Sequence, residues 1–188
     1  MSSQIKANSI QDKTGTRVLA SDSGSAWSWG ANVPVGTTLQ TVGVMDSAVA
    51  TTTSTIASDD SIPQNTEGAE AFTLAITPNH ANNKLLIHAF CGCISSSENS
   101  RRLIIALFKD SVSDALAASY ADFQASGTGE QGVDLTHFMT AGSTSTITFK
   151  LRFGANSTGT TTFNGSSGAR LMGGVMATGM TITEIKGS

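Results

Sequence analysis

Beyond Gly36 the chain alternates apolar and polar residues with a period of two. Ile147, Phe149, Leu151 and Phe153 alternate with Thr148, Lys150 and Arg152. A segment of this kind is a strand with one face on a core and the other toward water. Phe72, Leu74 and Ile76 alternate with Thr73, Ala75 and Thr77, and Pro78-Asn79 ends the run. Val133, Leu135, His137 and Met139 alternate with Asp134, Thr136, Phe138 and Thr140. Val42 and Val44 share a face. Thr51 to Ile56 is a β-branched run expected to be exposed over much of its length. Ala115 to Tyr120 reads as a strand, with a short helical turn as the alternative; Thr160 to Phe163 reads as a short strand, and Thr181 to Ile185 as a closing strand.

Two segments depart from simple alternation. From Lys84 to Cys93, Leu85, Ile87, Ala89 and Cys91 form one face, and Leu86, His88 and Phe90 the other. Leu103 to Phe108 repeats the pattern, with Ile104 and Phe108 on its second face. A strand apolar on both faces is buried on both. In a two-layer sandwich that second face must meet something beyond the sandwich, most simply another subunit. Leu86, His88, Phe90, Ile104 and Phe108 are therefore the expected interface residues. Short strands separated by Gly, Ser, Thr and Asn predict an antiparallel sandwich or barrel over residues 36–188. The chain has no strand–helix alternation, internal repeat or heptad pattern that would predict a parallel sheet or coiled coil.

Residues 1–35 are different. Ile5, Ile10, Val18 and Leu19 are too sparse to build a core. Turns are expected at Lys13-Thr14-Gly15-Thr16 and at Asp22-Ser23-Gly24-Ser25. A segment this polar needs a partner to bury enough surface. Trp27 and Trp29, the chain's 2 tryptophans, stand two apart on an extended stretch and so share a side. They fit packing at a junction or against sister chains, with a sugar-stacking platform as the alternative.

Composition narrows the functional classes. Charged residues make up only 13% of the chain, about half the usual share. Ser, Thr, Asn and Gly must therefore form most of the surface. The net charge is −3, and Arg101-Arg102 is the one adjacent basic pair, which argues against nucleic acid as a partner. No apolar run approaches the roughly 20 residues that span a bilayer, so membrane insertion is not expected. No basic segment followed by an apolar one opens the chain, so synthesis in a cytoplasm without a secretory signal is expected.

Features that carry chemistry elsewhere read as structural here. Gly127-Thr128-Gly129-Glu130-Gln131-Gly132 matches G-x-G-x-x-G, but Val133 to Thr140 follows as a strand where a dinucleotide site needs a helix. Cys91 and Cys93, two apart on a strand, are expected as buried thiols on one face, with no further soft ligands nearby to make a metal site. His80 lies in a turn, while His88 and His137 stand among apolar neighbours as core or interface residues. Were His88 and His137 both to face a symmetry axis, their protonation in mild acid would loosen an assembly. Asp59, Asp60, Glu67 and Glu70 sit in or beside a polar loop and suggest solvated carboxylates more than a glycosidase pair. No cofactor, catalytic residue or enzymatic activity is expected.

A sandwich of this length, with two-faced central strands and a last strand Met180-Thr181-Ile182-Thr183-Glu184-Ile185, resembles the trimeric knob domains of bacteriophage tail fibres and head fibres. Those domains have a jelly-roll fold like that of tumour necrosis factor and C1q. The segment from Ile5 to Thr16 is similar to N-terminal segments that attach such fibres to the particle. The resemblance implies a homotrimeric, non-enzymatic virion protein, with residues 1–35 as attachment segment and residues 36–188 as jelly-roll head. Ile5, Ile10, Trp27 and Trp29 would hold a neighbouring tail or capsid protein. Receptor contact, with a host cell-surface polysaccharide as candidate ligand, would fall on loops 95–102, 122–132 and 155–168. Arg101, Arg102, Asn156 and Asn164 are the candidate residues there. A capsid decoration protein without receptor role and a free carbohydrate-binding module are the alternatives; the second should be monomeric.

Overall fold

The computed structural model describes residues 33–122 and 129–188 in full, and residues 9–11, 17–22, 26–29 and 123 as backbone alone. Near the N-terminus, β1 (Ser9–Gln11), β2 (Arg17–Asp22) and β3 (Ala26–Trp29) form a 3-stranded antiparallel sheet of their own. Residues 12–16 and 23–25, where the two turns are expected, lie outside the described residues, and Asp22 belongs to β2.

The remaining strands are β4 (Thr38–Asp46), β5 (Ala50–Thr52), β6 (Ala69–Ile76), β7 (Lys84–Ser96) and β8 (Arg101–Lys109). They continue with β9 (Ala117–Phe123), β10 (Glu130–Thr140), β11 (Ile147–Ala155) and β12 (Thr161–Phe163). A small hairpin, β13 (Gly165–Ser166) and β14 (Ala169–Arg170), precedes the closing strand β15 (Thr178–Ile185). The β-branched run that begins at Thr51 stops being a strand after Thr52, and Ile56 at its end is buried.

Two antiparallel sheets make the sandwich. The first runs β4-β15-β7, with β10 on the other side of β7. Beyond the end of β15, β12 and then β5 take its place beside the second half of β7. The second sheet runs β6-β11-β8-β9. The chain crosses between the layers so that first and last strands pair, which is jelly-roll connectivity. The fold is thus an all-β antiparallel sandwich.

Leu85, Ile87, Ala89 and Cys91 of β7 meet Phe149, Leu151 and Phe153 of β11 and Leu103, Ile105 and Leu107 of β8 in one core. Met180 and Ile182 close it from β15. Phe153 and Phe163 stack with centroids 4.5 Å apart. Each such buried side chain contributes on the order of 2 kcal/mol of transfer free energy.

β7 changes face part-way along. The pairing with β10 slips between Gln131 and Val133, so Cys91 to Ile94 on β7 spans one residue more than its partner. This is a β-bulge. After it, Ile94 points into the core that Cys91 lines. Cys93 and Ser95 turn to the opposite face, where the Cys93 thiol and Ser95 hydroxyl donate to Gly165 O at 3.3 and 3.0 Å. The two cysteines therefore do not share a face as the period of two predicts, although both are buried thiols. Burial pushes the Cys91 thiol up to about 11, so it stays protonated and inert at neutral pH.

The second face of β8 is covered by its own chain. Residues 53–68 lie across it, and Ile56 packs with Ile104, Ala106 and Phe108. Ile104 and Phe108 are 4% and 1% exposed, so neither is available to a second subunit as the sequence reading expected. The covering segment is pinned through Glu67, whose carboxylate accepts from Ala57 N and Gln64 N at 2.9 and 2.6 Å. The Arg152 guanidinium donates to Glu67 O and Gly68 O at 2.7 and 2.8 Å. Gly68 sits at φ +61° with Phe153 O 2.6 Å from where a Cβ would be, so only glycine fits.

At the end where the domain begins, a buried carboxylate fastens the layers. Glu184 accepts from Asn79 N, Asn79 Nδ2, Asn83 Nδ2 and Gln40 Nε2 at 2.6–2.8 Å. Burial alone would raise its pKa, but these donors together outweigh it and hold the carboxyl below its ordinary value. Glu184→Gln replaces an acceptor by an amide NH2 facing other donors. We expect a loss of roughly 2 kcal/mol at pH 7 in urea denaturation. The lowered carboxyl pKa means the wild-type contribution is complete above the ordinary glutamate range and fades as pH falls through the folded value. The gap between wild type and variant should therefore narrow between pH 5 and pH 3.

Candidate functional site

Functional surface in this fold is set by which outer faces and which end remain uncovered. β7 runs 13 residues, roughly 40 Å at about 3.3 Å per residue. The chain enters at one end, where Gly36 N donates to Lys186 O and Thr38 and Lys84 flank Ile185. At the other end the β7–β8 turn and the β11–β12 connection are joined. Ser97 N donates to Thr160 O at 2.9 Å, and the Arg101 guanidinium reaches Thr158 O at 3.1 and 3.2 Å. The sequence-expected loops 95–102 and 155–168 thus meet at the end opposite the chain's entry. Residues 124–128 of the third loop lie outside the described residues.

Among the described residues, the outer face of the first sheet carries exposed apolar side chains set between threonines, with Asp134 and Lys84 at its margins. Leu86, His88 and Phe90 of β7 point out from it, as the two-faced pattern predicts, and Leu86 is 37% exposed. Register sets Phe138 beside Leu86 and Thr136 beside His88, with Thr181 and Gly179 on the other side. Phe138 is 57% and Met45 70% exposed. Phe90 lies across Gly179, where a Cβ would stand 2.8 Å from the ring, and is paired with His88 at 6.0 Å. Small residues thus leave this face flat, with aromatic side chains lying along it. His137 opposes Ile87 and shares the inward-facing parity of Val133 and Leu135. His88 and His137 point to opposite sides of one sheet, so they cannot both face a symmetry axis. Burial holds the His137 pKa below the ordinary histidine value.

The four expected receptor residues divide sharply. Asn164 is fully buried at φ 59°. Its amide donates to Asp46 O and Ala48 O at 2.9 and 3.0 Å, and its Oδ1 accepts from the Thr178 hydroxyl at 2.7 Å. It is a structural clamp beside the β13–β14 hairpin and meets no receptor. Asn156 accepts from Arg102 N at 2.9 Å and donates its own N–H to Arg102 O, extending the β8–β11 ladder. Arg101 is held by main-chain carbonyls of Asn99, Ser100 and Thr158.

Arg102 alone of the four opens onto a hollow. Its Nε donates to Asp122 Oδ1 at 3.2 Å, its Nη1 to the Ser58 hydroxyl at 3.2 Å, and its guanidinium lies 5.1 Å from the Tyr120 ring centroid. Both partners of the ion pair are close to half exposed, so it adds little stability. Beside it lies a cleft of about 280 Å³ between residues 57–63 and the outer face of β8 and β9. Ala57, Pro63 and Ile104 supply apolar lining, with Ile104 buried at its base. Asp59, Ser119 and Tyr120 supply polar and aromatic lining, and Tyr120 is 53% exposed. The Ser61 hydroxyl and then its N–H hold the Asp59 carboxyl below the ordinary range. Sequence reading missed Tyr120 and Asp59 as a pair. Alternation in β9 is enough to turn Tyr120 outward, but nothing in residues 57–63 has a period that would place Asp59 opposite it.

Among the described residues no cluster of histidine, cysteine or carboxylate groups is arranged to hold a metal ion. Of the G-x-G-x-x-G stretch, Glu130 to Gly132 belong to β10, and Gly127 and Thr128 lie outside the described residues. Ile5 also lies outside them, as do the side chains of Ile10, Trp27 and Trp29.

No family model matches the sequence, and no curated protein matches it. Solved structures similar in fold include the tumour-necrosis-factor protein Eiger of S. frugiperda. It is 7% identical, with a TM-score of 0.40 over 79% of this chain and 94% of that one. Latent PorU of Porphyromonas gingivalis is 6% identical, with a TM-score of 0.37 over 92% of this chain and 15% of that one. The T13 viral particle of IBDV is 10% identical, with a TM-score of 0.34 over 98% of this chain and 40% of that one. Likenesses this distant identify no family; the strand connectivity itself defines the fold.

Asn164→Ala removes three buried hydrogen bonds and leaves a non-glycine residue at positive φ. We expect a loss of roughly 3 kcal/mol in chemical denaturation. Asn156→Ala, at a partly exposed ladder end, should cost about 1 kcal/mol.

Proposed function

We propose that this chain is a non-enzymatic virion structural protein, a homotrimeric fibre or spike head of the bacteriophage type. Residues 1–35 attach it to a tail or capsid neighbour, and the sandwich displays its far end to a host surface. The observation that supports this reading is the outer face of the first sheet, where, among the described residues, Leu86, Phe138 and Met45 are exposed and Phe90 half-buried, in two apolar groups either side of His88 and Thr181. Large apolar side chains clustered on an exposed face mark an interaction site. A second copy of the chain is the occupant proposed, because the face is flat, built on the central strand, and carries both an acidic and a basic side chain, Asp134 and Lys84, at its margins. The placement of chain entry and candidate loops at opposite ends of β7 supports attachment at one end and contact at the other.

The full chain should scatter light as three times its 19.3 kDa mass. Phe138→Asp places a charge on the apolar face without touching the core. It should shift the mass to 19.3 kDa while changing the unfolding free energy of the single chain by no more than about 0.5 kcal/mol. A wild-type chain that remains a 19.3 kDa monomer at high concentration would remove the fibre reading.

A further inference from the structure

We propose that the cleft between residues 57–63 and the outer face of β8 and β9 binds a neutral sugar ring bearing an acetamido group, a single N-acetylhexosamine. The inference deepens the adsorption role above and rests on it for its biological meaning, but its chemistry stands on the cleft.

At about 280 Å³ the hollow lies at the small end of ligand pockets and suits one pyranose ring. The exposed Tyr120 ring offers a face for the C–H side of a sugar. Around it stand groups that pair with hydroxyls: the Arg102 guanidinium as donor and the Asp59 carboxylate as acceptor. Arg102 is held in place by Asp122, Ser58 and Tyr120, so little ordering entropy is lost when a ligand arrives.

Charge selects a neutral ligand. Two carboxylates, Asp59 and Asp122, flank one guanidinium, and Ser61 keeps Asp59 ionised. An anionic sugar would meet net repulsion. The apolar lining of Ala57, Pro63 and Ile104 has no use for a hydroxyl but accommodates a methyl group, and an acetamido substituent supplies a methyl beside a polar amide. The cleft belongs to the outer face of the second sheet, while the apolar face proposed for assembly belongs to the first. Assembly through the first sheet leaves three copies of the cleft open, so weak single sites would combine into strong attachment to a repeating glycan.

The test is a titration of the full chain, followed by amide NMR shifts, with N-acetylglucosamine, N-acetylgalactosamine, glucose and glucuronate. Saturable binding of at least one acetamido sugar is expected with Kd of about 1 mM, and at least tenfold weaker binding of glucose and glucuronate. Tyr120→Ala should weaken binding at least tenfold, and Asp59→Asn should do so with the thermal midpoint unchanged. Tyr120→Phe, which keeps the ring, should retain binding. Absence of saturation by either acetamido sugar at about fifty times that Kd would overturn the proposal, as would equal binding of glucose. Unchanged binding in folded Tyr120→Ala and Asp59→Asn would also overturn the assignment to this cleft. Failure of the assembly reading is separate: it appears as a 19.3 kDa mass, whether or not sugar binds.

Discussion

The pairing of β7 along both its edges is the constraint from which the rest of the molecule follows. β10 lies along one side of it for nearly its whole length, and β15 and β12 share the other side end to end. A strand gripped on both sides has its faces fixed, because a slip of one residue would invert every side chain. The bulge at Cys91–Ile94 makes that inversion once, on purpose and in place. Before it the odd-numbered residues fill the core. After it Ile94 does so, and Cys93 and Ser95 are released to bind Gly165 O under the β13–β14 hairpin. Asn164, at the foot of that hairpin, then ties the end of β4 and the start of β15 to the same point. One extra residue in a ladder thereby positions a hairpin, a loop and two strand ends.

The sandwich has two outer faces and treats them differently. Over the second sheet the chain lays residues 53–68, so Ile104, Ala106 and Phe108 are as buried as the main core. Over the first sheet, among the described residues, Leu86, Phe138 and Met45 stay exposed, although they are as apolar as the residues covered elsewhere. Exposed apolar side chains on one face, set against the covered face of the other sheet, are the ground of the assembly proposed above. The face that is covered gains something in return: the covering segment meets β8 and β9 at an edge, and a cleft forms where they part.

How much of this was legible in the sequence depends on the range of the interaction involved. β11, β10 and the first half of β7 are set by local alternation, and their buried residues follow from a period of two. The same period places Leu86, His88 and Phe90 on a second face. It fails for Cys93, because a bulge is a property of two strands in register and leaves no mark on one. It fails for Ile104 and Phe108, because the cover comes from residues 53–68, a segment held by carboxylate and guanidinium bonds to main chain with no period of its own. Asn164-Gly165 reads as a turn and adopts the positive φ that such a pair favours. The turn is nonetheless interior, since its amide is aimed at carbonyls more than a hundred residues away in sequence. The histidines show the same limit: alternation says that each alternates with its neighbours, and only the pairing of His137 with Ile87 says which side it takes.

With so few charged residues, the work each one does is informative. Glu184 gathers donors from β4 and from the β6–β7 connection, Glu67 holds the covering loop, Arg152 donates to carbonyls of that loop, and Asp110 and Asp46 each accept from a backbone N–H. These are clamps on main chain, a role that follows from a surface built of Ser, Thr, Asn and Gly, where turns need pinning. Arg102 and Asp122 depart from that use. They pair side chain to side chain, with the Ser58 hydroxyl and the exposed Tyr120 ring beside the guanidinium, and Arg102 and Asp59 border a hollow. Stability alone gives little reason for the arrangement, because a half-exposed ion pair adds so little to it. Charges held in place around an aromatic face, at an edge the chain has otherwise taken care to cover, are arranged for something that arrives from solvent.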